Sequence, residues 1–172
     1  MAAHVMSDTS LLELLDHFEH HGVDVCVGGG WGVDANVGRQ TRPHGDADLW
    51  LPAEQFDRAI VALVASGVDR LFPWGGDRPW NFVLHDGSSR RVDLHVYEDA
   101  GDGLLHYGGR VGEMFPAEAL GGRGTVAGRV IRCESPEWSL RWHTGYTPRE
   151  VDFLDVALLC EAFGFETPTE FG

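Results

Sequence analysis

Asp46 and Asp48, separated by one residue, and a third aspartate at Asp93 are the side chains of this sequence best suited to chemistry. Along an extended strand side chains alternate, so both carboxylates of Asp46-Ala47-Asp48-Leu49 share one face while Ala47 and Leu49 take the other. Two acids side by side repel unless something positive lies between them, and a divalent cation shared with phosphate oxygens is the natural partner. The run Arg91-Val92-Asp93-Leu94-His95-Val96-Tyr97 alternates in the same way, with Val92, Leu94 and Val96 on a buried face and Arg91, Asp93, His95 and Tyr97 on the other. On a neighbouring strand, Asp93 would be a third metal ligand or a general base near an acceptor hydroxyl. Upstream, Val27-Gly28-Gly29-Gly30-Trp31 reads as a strand running into glycines and then a helix. Glycines let a backbone approach a ligand closely, and a helix N-terminus presents free N–H groups to phosphate. A lone acid pair is more often a solvated strand face, and a lone glycine turn more often structural. Three acids on two strands behind a glycine turn are a different matter.

The elements that must position these groups follow from periodicity. Asp8-Thr9-Ser10 offers N-caps, and Leu11, Leu12, Leu14, Leu15 and Phe18 then recur at helical spacing up to about Gly22. Residues 23–27 read as a short buried strand, 31–37 as a two-turn helix and 38–45 as a polar loop. A strand over 46–51 ends at Pro52. A helix over 54–66 is expected to bury Phe56, Ile60, Val61, Leu63 and Val64. Residues 68–72 and 81–85 are candidate strands, and Asp86-Gly87 marks a turn into the strand at 91–97. Glycine-rich loops follow, then a hairpin over 124–133 turning at Ala127-Gly128. Ser135-Pro136 opens one helix, and Thr147-Pro148-Arg149-Glu150 opens another as a capping box, with Gly164 at its far end. The order implies an α+β fold: a small mixed, mostly antiparallel sheet with helices packed on it and a helical C-terminal part. Residues 1–133 are expected to form the catalytic core and 134–172 a helical part of the same compact unit.

Bulk properties narrow the function. In 172 residues, 43% are hydrophobic and 10% aromatic, the composition of one packed globule. The longest apolar run, around residues 151–160, is interrupted by Asp152 and Asp155, too short and too charged for a bilayer span. With no leader pattern at the N-terminus, the expectation is a soluble, cytoplasmic protein. Cys26, Cys133 and Cys160 lie among apolar neighbours without metal-site spacing, as buried thiols do. The formal charge of −14 repels nucleic-acid backbones and anionic membranes and attracts cations, so neither nucleic acid nor membrane is an expected partner.

Gly29-Gly30-Trp31, followed by Asp34, Thr41-Arg42-Pro43-His44 and Asp46-Ala47-Asp48, resembles the signature of the nucleotidyltransferase superfamily. Within it, the run Arg42, His44, Asp46, Asp48 is similar to the branch of lincosamide nucleotidyltransferases and aminoglycoside 2''-nucleotidyltransferases. Val126-Ala127-Gly128-Arg129 with Arg132-Cys133 resembles the same branch, and His143-Thr144-Gly145-Tyr146 with Arg149, Asp152 and Asp155 is closer to the lincosamide members. Gly28 departs from those members, which often carry an acid there, and matches the aminoglycoside type. The resemblance implies the nucleotidyltransferase fold and transfer of a nucleoside monophosphate, AMP foremost, from ATP or another NTP to a hydroxyl of a lincosamide or aminoglycoside. It implies Mg²⁺ held by Asp46 and Asp48, with Asp93 as third ligand, base or both. Gly29 and Gly30 would hold the β- and γ-phosphates, and Arg39, Arg42 and His44 would offset triphosphate charge. His95, Tyr146 and His143 are candidates for the substrate side, and a homodimer is the expected assembly.

Two rival readings stand beside this one. A non-catalytic, antitoxin-like nucleotide-binding module is disfavoured because a dead site has no reason to keep three mutually repelling carboxylates. An enzyme acting on a metabolite hydroxyl would carry the same residues. Between the antibiotics, the C-terminal motif points to lincosamides, while the acidic field and the third glycine point to polycationic aminoglycosides.

Overall fold

Leu11, Leu14, Leu15 and Phe18 recur at the spacing that gathers them on one side of a helix, and α1 (Asp8–His20) buries all four. Its cap is Ser7, one residue before the expected run, accepting a hydrogen bond from the Ser10 amide at 3.1 Å. The computed structural model describes residues 5–72, 81–108 and 112–172. After α1 come β1 (Cys26–Gly28), α2 (Gly29–Val37), β2 (Ala47–Pro52), α3 (Phe56–Ser66) and β3 (Arg70–Leu71). β4 (Asn81–His85), β5 (Arg91–Gly101), β6 (Leu104–Tyr107), β7 (Glu113–Pro116), β8 (Gly122–Val126) and β9 (Arg129–Cys133) follow, then α4 (Pro136–Trp142) and α5 (Glu150–Phe163).

The strands form one sheet in the order β3-β4-β5-β2-β1-β9-β8, with β6 pairing the far half of β5 and β7 pairing β6. β2 runs parallel to β5 and β1 parallel to β9, while the other pairs are antiparallel. That is the mixed, mostly antiparallel sheet implied by the sequence. Period-two alternation sorts its faces. Val27, Ala47, Leu49, Leu51, Val92 and Leu94 pack under α1 and α3 in the main core. The opposite face carries a smaller core of Cys26, Trp50, Tyr97, Leu105, Phe115 and Leu120, against which Trp138 and Trp142 of α4 pack. α2 lies close on β8, where Gly124 is required because a Cβ would collide with the Ala35 carbonyl.

Several boundaries differ from the sequence expectation for identifiable reasons. The first strand is confined to Cys26–Gly28, and α2 begins at Gly29 rather than Trp31, since Gly29 itself turns the chain with φ of +55°. In α3 the buried stripe is Ala59, Ala62, Leu63 and Ser66, whereas Val61 and Val64 face solvent at 55% and 54% exposure. The stretch read as glycine-rich loops is a hairpin. Gly101, Gly103 and Gly108 take positive φ at its turns and end, and the residues between them pair as strand. The last helix is capped by Arg149 with Asp152 rather than by Thr147 with Glu150, and Gly164 closes it in the left-handed conformation as expected. The Ala127-Gly128 turn and the Ser135-Pro136 helix start are as read, and all three cysteines are free and buried. Among the described residues no helix is long and apolar enough to cross a membrane.

Candidate active site

Gly28, Asp48 and Asp93 stand in consecutive register across β1, β2 and β5, and Cys26, Trp50 and His95 form the next row on the same face. Three adjacent strands thus aim their same-parity residues at one place, beside the first turn of α2. The ligand atoms of Asp48, Asp93 and His95 lie within 4.8 Å of one another. His95 Nε2 is 3.1 Å from Asp48 Oδ1, and its Nδ1 is 2.9 Å from the Tyr107 hydroxyl. Asp46, one strand position before Asp48's neighbour Ala47, stands at the rim of this cluster with its carboxylate 43% exposed and 4.0 Å from Arg91 Nε.

Electrostatics divides the three acids. Burial pushes the Asp93 carboxyl up, and the charges of Asp48 and Asp46 add to this against the pull of His95, leaving it at about 6. Asp93 Oδ1 is also buried without a hydrogen-bond partner, an acceptor still lacking a positive or donating group. Asp46 is raised by burial and by Asp48. For Asp48 burial acts in the same direction, but the hydrogen bond and charge of His95 outweigh it and hold it below the usual carboxylate value. His95 is correspondingly raised: burial opposes its charge, and bonding to Asp48 more than restores it. Oxygen donors, one of them orphaned, suit a hard divalent cation such as Mg²⁺, whereas His95 is committed to Asp48 and Tyr107.

The glycines close the other side. Gly29 has no room for a side chain, since a Cβ would strike the Asp48 carboxylate, and at Gly30 it would strike the Arg42 guanidinium and the His44 ring. Arg42 therefore lies over the first turn of α2. Its far edge is fixed by Asp155, through Nε–Oδ1 at 3.0 Å and a second nitrogen to Oδ2 at 2.7 Å. His44 is buried, with Nε2 2.5 Å from Asp34 Oδ2 and Nδ1 3.1 Å from Arg42. Arg39 is exposed beyond the opposite, C-terminal end of α2. His143 is buried between the Ser139 carbonyl at 2.7 Å and Asp155 at 3.5 Å, while Tyr146 is 39% exposed near Arg149. Of the expected site residues, the structure brings together Asp46, Asp48, Asp93, His95, Gly29, Gly30, Arg42 and His44. His143 joins them through its contact with Asp155 and through its charge, and Arg39 stands apart.

Trp50 and Glu134, which the sequence reading did not single out, complete the site. Trp50 is two positions after Asp48, so extending the same alternation would have found it. Its ring stacks between His95 and Trp142, each 4.8 Å away, with Tyr107 and Phe115 edge-on. Glu134, buried just after β9, accepts the Trp50 indole N–H at 2.7 Å. Its carboxylate occupies the space that a side chain at Gly28 would need, which is the physical reason for glycine there. Asp152 and Asp155 are wholly buried although they interrupt an apolar run, and that interruption was the available signal.

Comparison with known proteins gives the family and the fold. Residues 10–159 match the family described as Aminoglycoside-2''-adenylyltransferase. The chain is 29% identical over 152 residues to a lincosamide resistance protein of Staphylococcus haemolyticus, covering 88% of this chain and 92% of that protein. A 2''-aminoglycoside nucleotidyltransferase of Escherichia coli is 28% identical over 168 residues, 92% of this chain and 88% of the relative. Among solved structures, a lincosamide antibiotic adenylyltransferase with lincomycin bound superposes with a TM-score of 0.79 at 27% identity, over 92% of this chain and 99% of that one. The complex of an aminoglycoside enzyme with adenylyl-2''-tobramycin gives 0.68 at 23% identity over 91% and 89% of the two chains, a likeness of fold.

The Asp155 cluster generates a prediction of its own. Burial would raise this carboxyl, but hydrogen bonds from His143 and Arg42 hold it at about 2, below its ordinary 3.8. A depressed folded value stabilises the protein above the unfolded pKa, and the gain is lost as pH falls through the folded one. The contribution is about 2 kcal/mol, complete above roughly pH 4 and gone near pH 2. Urea unfolding of the native protein and of Asp155→Asn across that range should show a stability gap that narrows as pH falls. A gap independent of pH would contradict the assignment.

Proposed function

Because this chain belongs to the aminoglycoside-2''-adenylyltransferase family, we propose that it inactivates an antibiotic by transferring AMP from ATP to one of the drug's hydroxyls. The observation that carries this reading is the register of Gly28, Asp48 and Asp93, which sets paired carboxylates on adjacent strands against a bare helix N-terminus. Asp46 and Asp48 would hold Mg²⁺, with Asp93 beside them, and the ion, when bound, would offset charge on the triphosphate and polarise the phosphorus under attack. Gly29 and Gly30 offer backbone N–H groups to the β- and γ-phosphates. Arg42, lying over Gly30, adds positive charge there, and His44 holds Arg42 in place from the Asp34 side. Arg39, at the other end of α2, acts only through the general field.

In the transfer, the acceptor oxygen forms a bond to the α-phosphorus while the bond to the bridging oxygen breaks and pyrophosphate leaves. The acceptor proton passes to Asp93, whose buried Oδ1 carries no other hydrogen bond and is open to accept it. His95, hydrogen-bonded to Asp48, and the rings of Tyr107 and Trp142, all packed on the buried ring of Trp50, form the wall available to the acceptor, with Tyr146 at the rim. An aromatic wall suits a drug with an apolar body and one amine, so a lincosamide is the favoured acceptor. The −14 charge favours a polycationic aminoglycoside and supports that as the second reading. A second copy of the chain is the partner we assign to Val151, Phe153 and Leu154, exposed on the first turns of α5 close to Tyr146. Light scattering should give a dimer at micromolar concentration, and a monomer would remove that assignment.

The chemistry itself is tested by mass spectrometry of the protein with Mg²⁺, each of ATP, GTP, CTP and UTP, and lincomycin, clindamycin, kanamycin, tobramycin or gentamicin. The expected product is lincomycin or clindamycin heavier by one AMP, absent with Asp48→Asn or after removal of Mg²⁺ by a chelator. No nucleotidylated drug from any pair, with ATP nonetheless bound, would favour a non-catalytic module or a metabolite acceptor instead.

A further inference from the structure

A carboxylate buried at 4% exposure is expensive, and nothing in the transfer described above uses Glu134. Burial drives its carboxyl up to about 7, against the Trp50 hydrogen bond and the charge of His143. Replacing such a group by an apolar one of similar size is often neutral or stabilising, so stability is a poor reason for its presence. Its surroundings supply a better one. The Glu134 backbone is tied on both sides, its N–H donating to the Val27 carbonyl at 3.0 Å and its carbonyl accepting from Asn36 Nδ2 at 3.1 Å. The side chain is thereby delivered from a fixed point, over Gly28, to the indole N–H of Trp50. Trp50 lies face-on to His95 with 30° between the rings, and His95 in turn bonds Asp48. A single hydrogen bond therefore connects the residue packed over the N-terminus of α2 to the buried ring behind His95, Tyr107 and Trp142.

We propose that Glu134 is a positioning residue for acceptor recognition: through its hydrogen bond to the Trp50 indole it fixes the buried ring against which His95, Tyr107 and Trp142, the residues assigned to the acceptor side, are held. An indole can rotate about two side-chain torsions, and stacking alone leaves it free to slide in its own plane. The hydrogen bond removes that freedom. Because Trp50 backs the residues assigned to the acceptor and not the turn assigned to the triphosphate, the effect falls on acceptor binding and on its alignment, leaving ATP affinity untouched. The inference rests on the assignment of this face to the acceptor.

Kinetics of Glu134→Leu, Trp50→Phe, the double variant and Glu134→Gln test it, with KM measured separately for acceptor and ATP. Glu134→Leu should lower kcat/KM for the acceptor by about tenfold, the scale of one buried hydrogen bond, with ATP KM within about twofold. Trp50→Phe should cost a similar factor, and the double variant no more than either alone, because both remove the same bond. Glu134→Gln keeps an acceptor for the indole and should recover most of the loss. Losses that multiply in the double variant, a Gln variant no better than Leu, or an unchanged acceptor KM with only a lower Tm would each overturn the proposal. An independent readout is the Trp50 indole N–H resonance, identified by its absence in Trp50→Phe. It should move upfield in Glu134→Leu together with a shift of the His95 ring signals, and this holds even if no acceptor is turned over. A wild-type protein without transfer thus counts against the proposed function, while an indole signal indifferent to Glu134 counts against the positioning role.

Discussion

Repulsion between carboxylates at one end of the sheet is the constraint around which the rest of this molecule is arranged. Asp48 and Asp93 have oxygens within 4.8 Å, a separation at which two full charges repel by roughly 3 kcal/mol at the effective dielectric of a protein site. The fold accepts this because β2 and β5 are parallel and in register, and because the faces opposite them are sealed under α1 and α3. What relief there is comes from His95 on Asp48, while Asp93 keeps a raised carboxyl and an unbonded oxygen. A site with that imbalance is prepared to receive positive charge and a proton. Gly29 extends the argument to the backbone, since its positive φ and missing side chain are what allow a helix N-terminus to approach Asp48 at all.

A second chain of charges fixes the surroundings of the first turn of α2. Asp34 holds His44, His44 touches Arg42, and Arg42 pairs with Asp155, which also faces His143. The chain runs from α2 through the loop before β2 to α4 and α5, so the C-terminal helices are connected to the glycine turn at the start of α2 by paired charges and not only by packing. Arg42 is thereby held over Gly30 with little conformational freedom left to lose when an anion arrives.

Much of this was legible from residue order. The parity of Asp46 and Asp48 and of Asp93 and His95 follows from alternation alone, and so do the buried faces opposite them. The turn at Ala127-Gly128 and the helix start at Ser135-Pro136 follow from local chemistry. Register between distant strands was not legible, because nothing local says that Asp48 lies beside Asp93. The pairing of β6 with β5 and β7 was hidden by Gly101 and Gly103, which turn the chain from β5 into β6, and by Gly108, which follows β6, although all three read as loop. The start of α5 was ambiguous because Thr147 and Arg149 each have an acid three residues on. The choice is made by Asp152 and Asp155, which must both be buried where Arg149, Arg42 and His143 can meet them. Glu134 was invisible for the same reason: its partner, Trp50, is 84 residues away.

The central claim is that Asp93 accepts the proton of the acceptor hydroxyl within this acid cluster. Its most direct test is Asp93→Asn, comparing steady-state kcat with the Mg²⁺-dependent affinity for a non-hydrolysable ATP analogue measured by calorimetry. The account predicts a fall in kcat by a factor of about 10² to 10⁴ with nucleotide affinity largely retained. Unchanged turnover with unchanged affinity would contradict it.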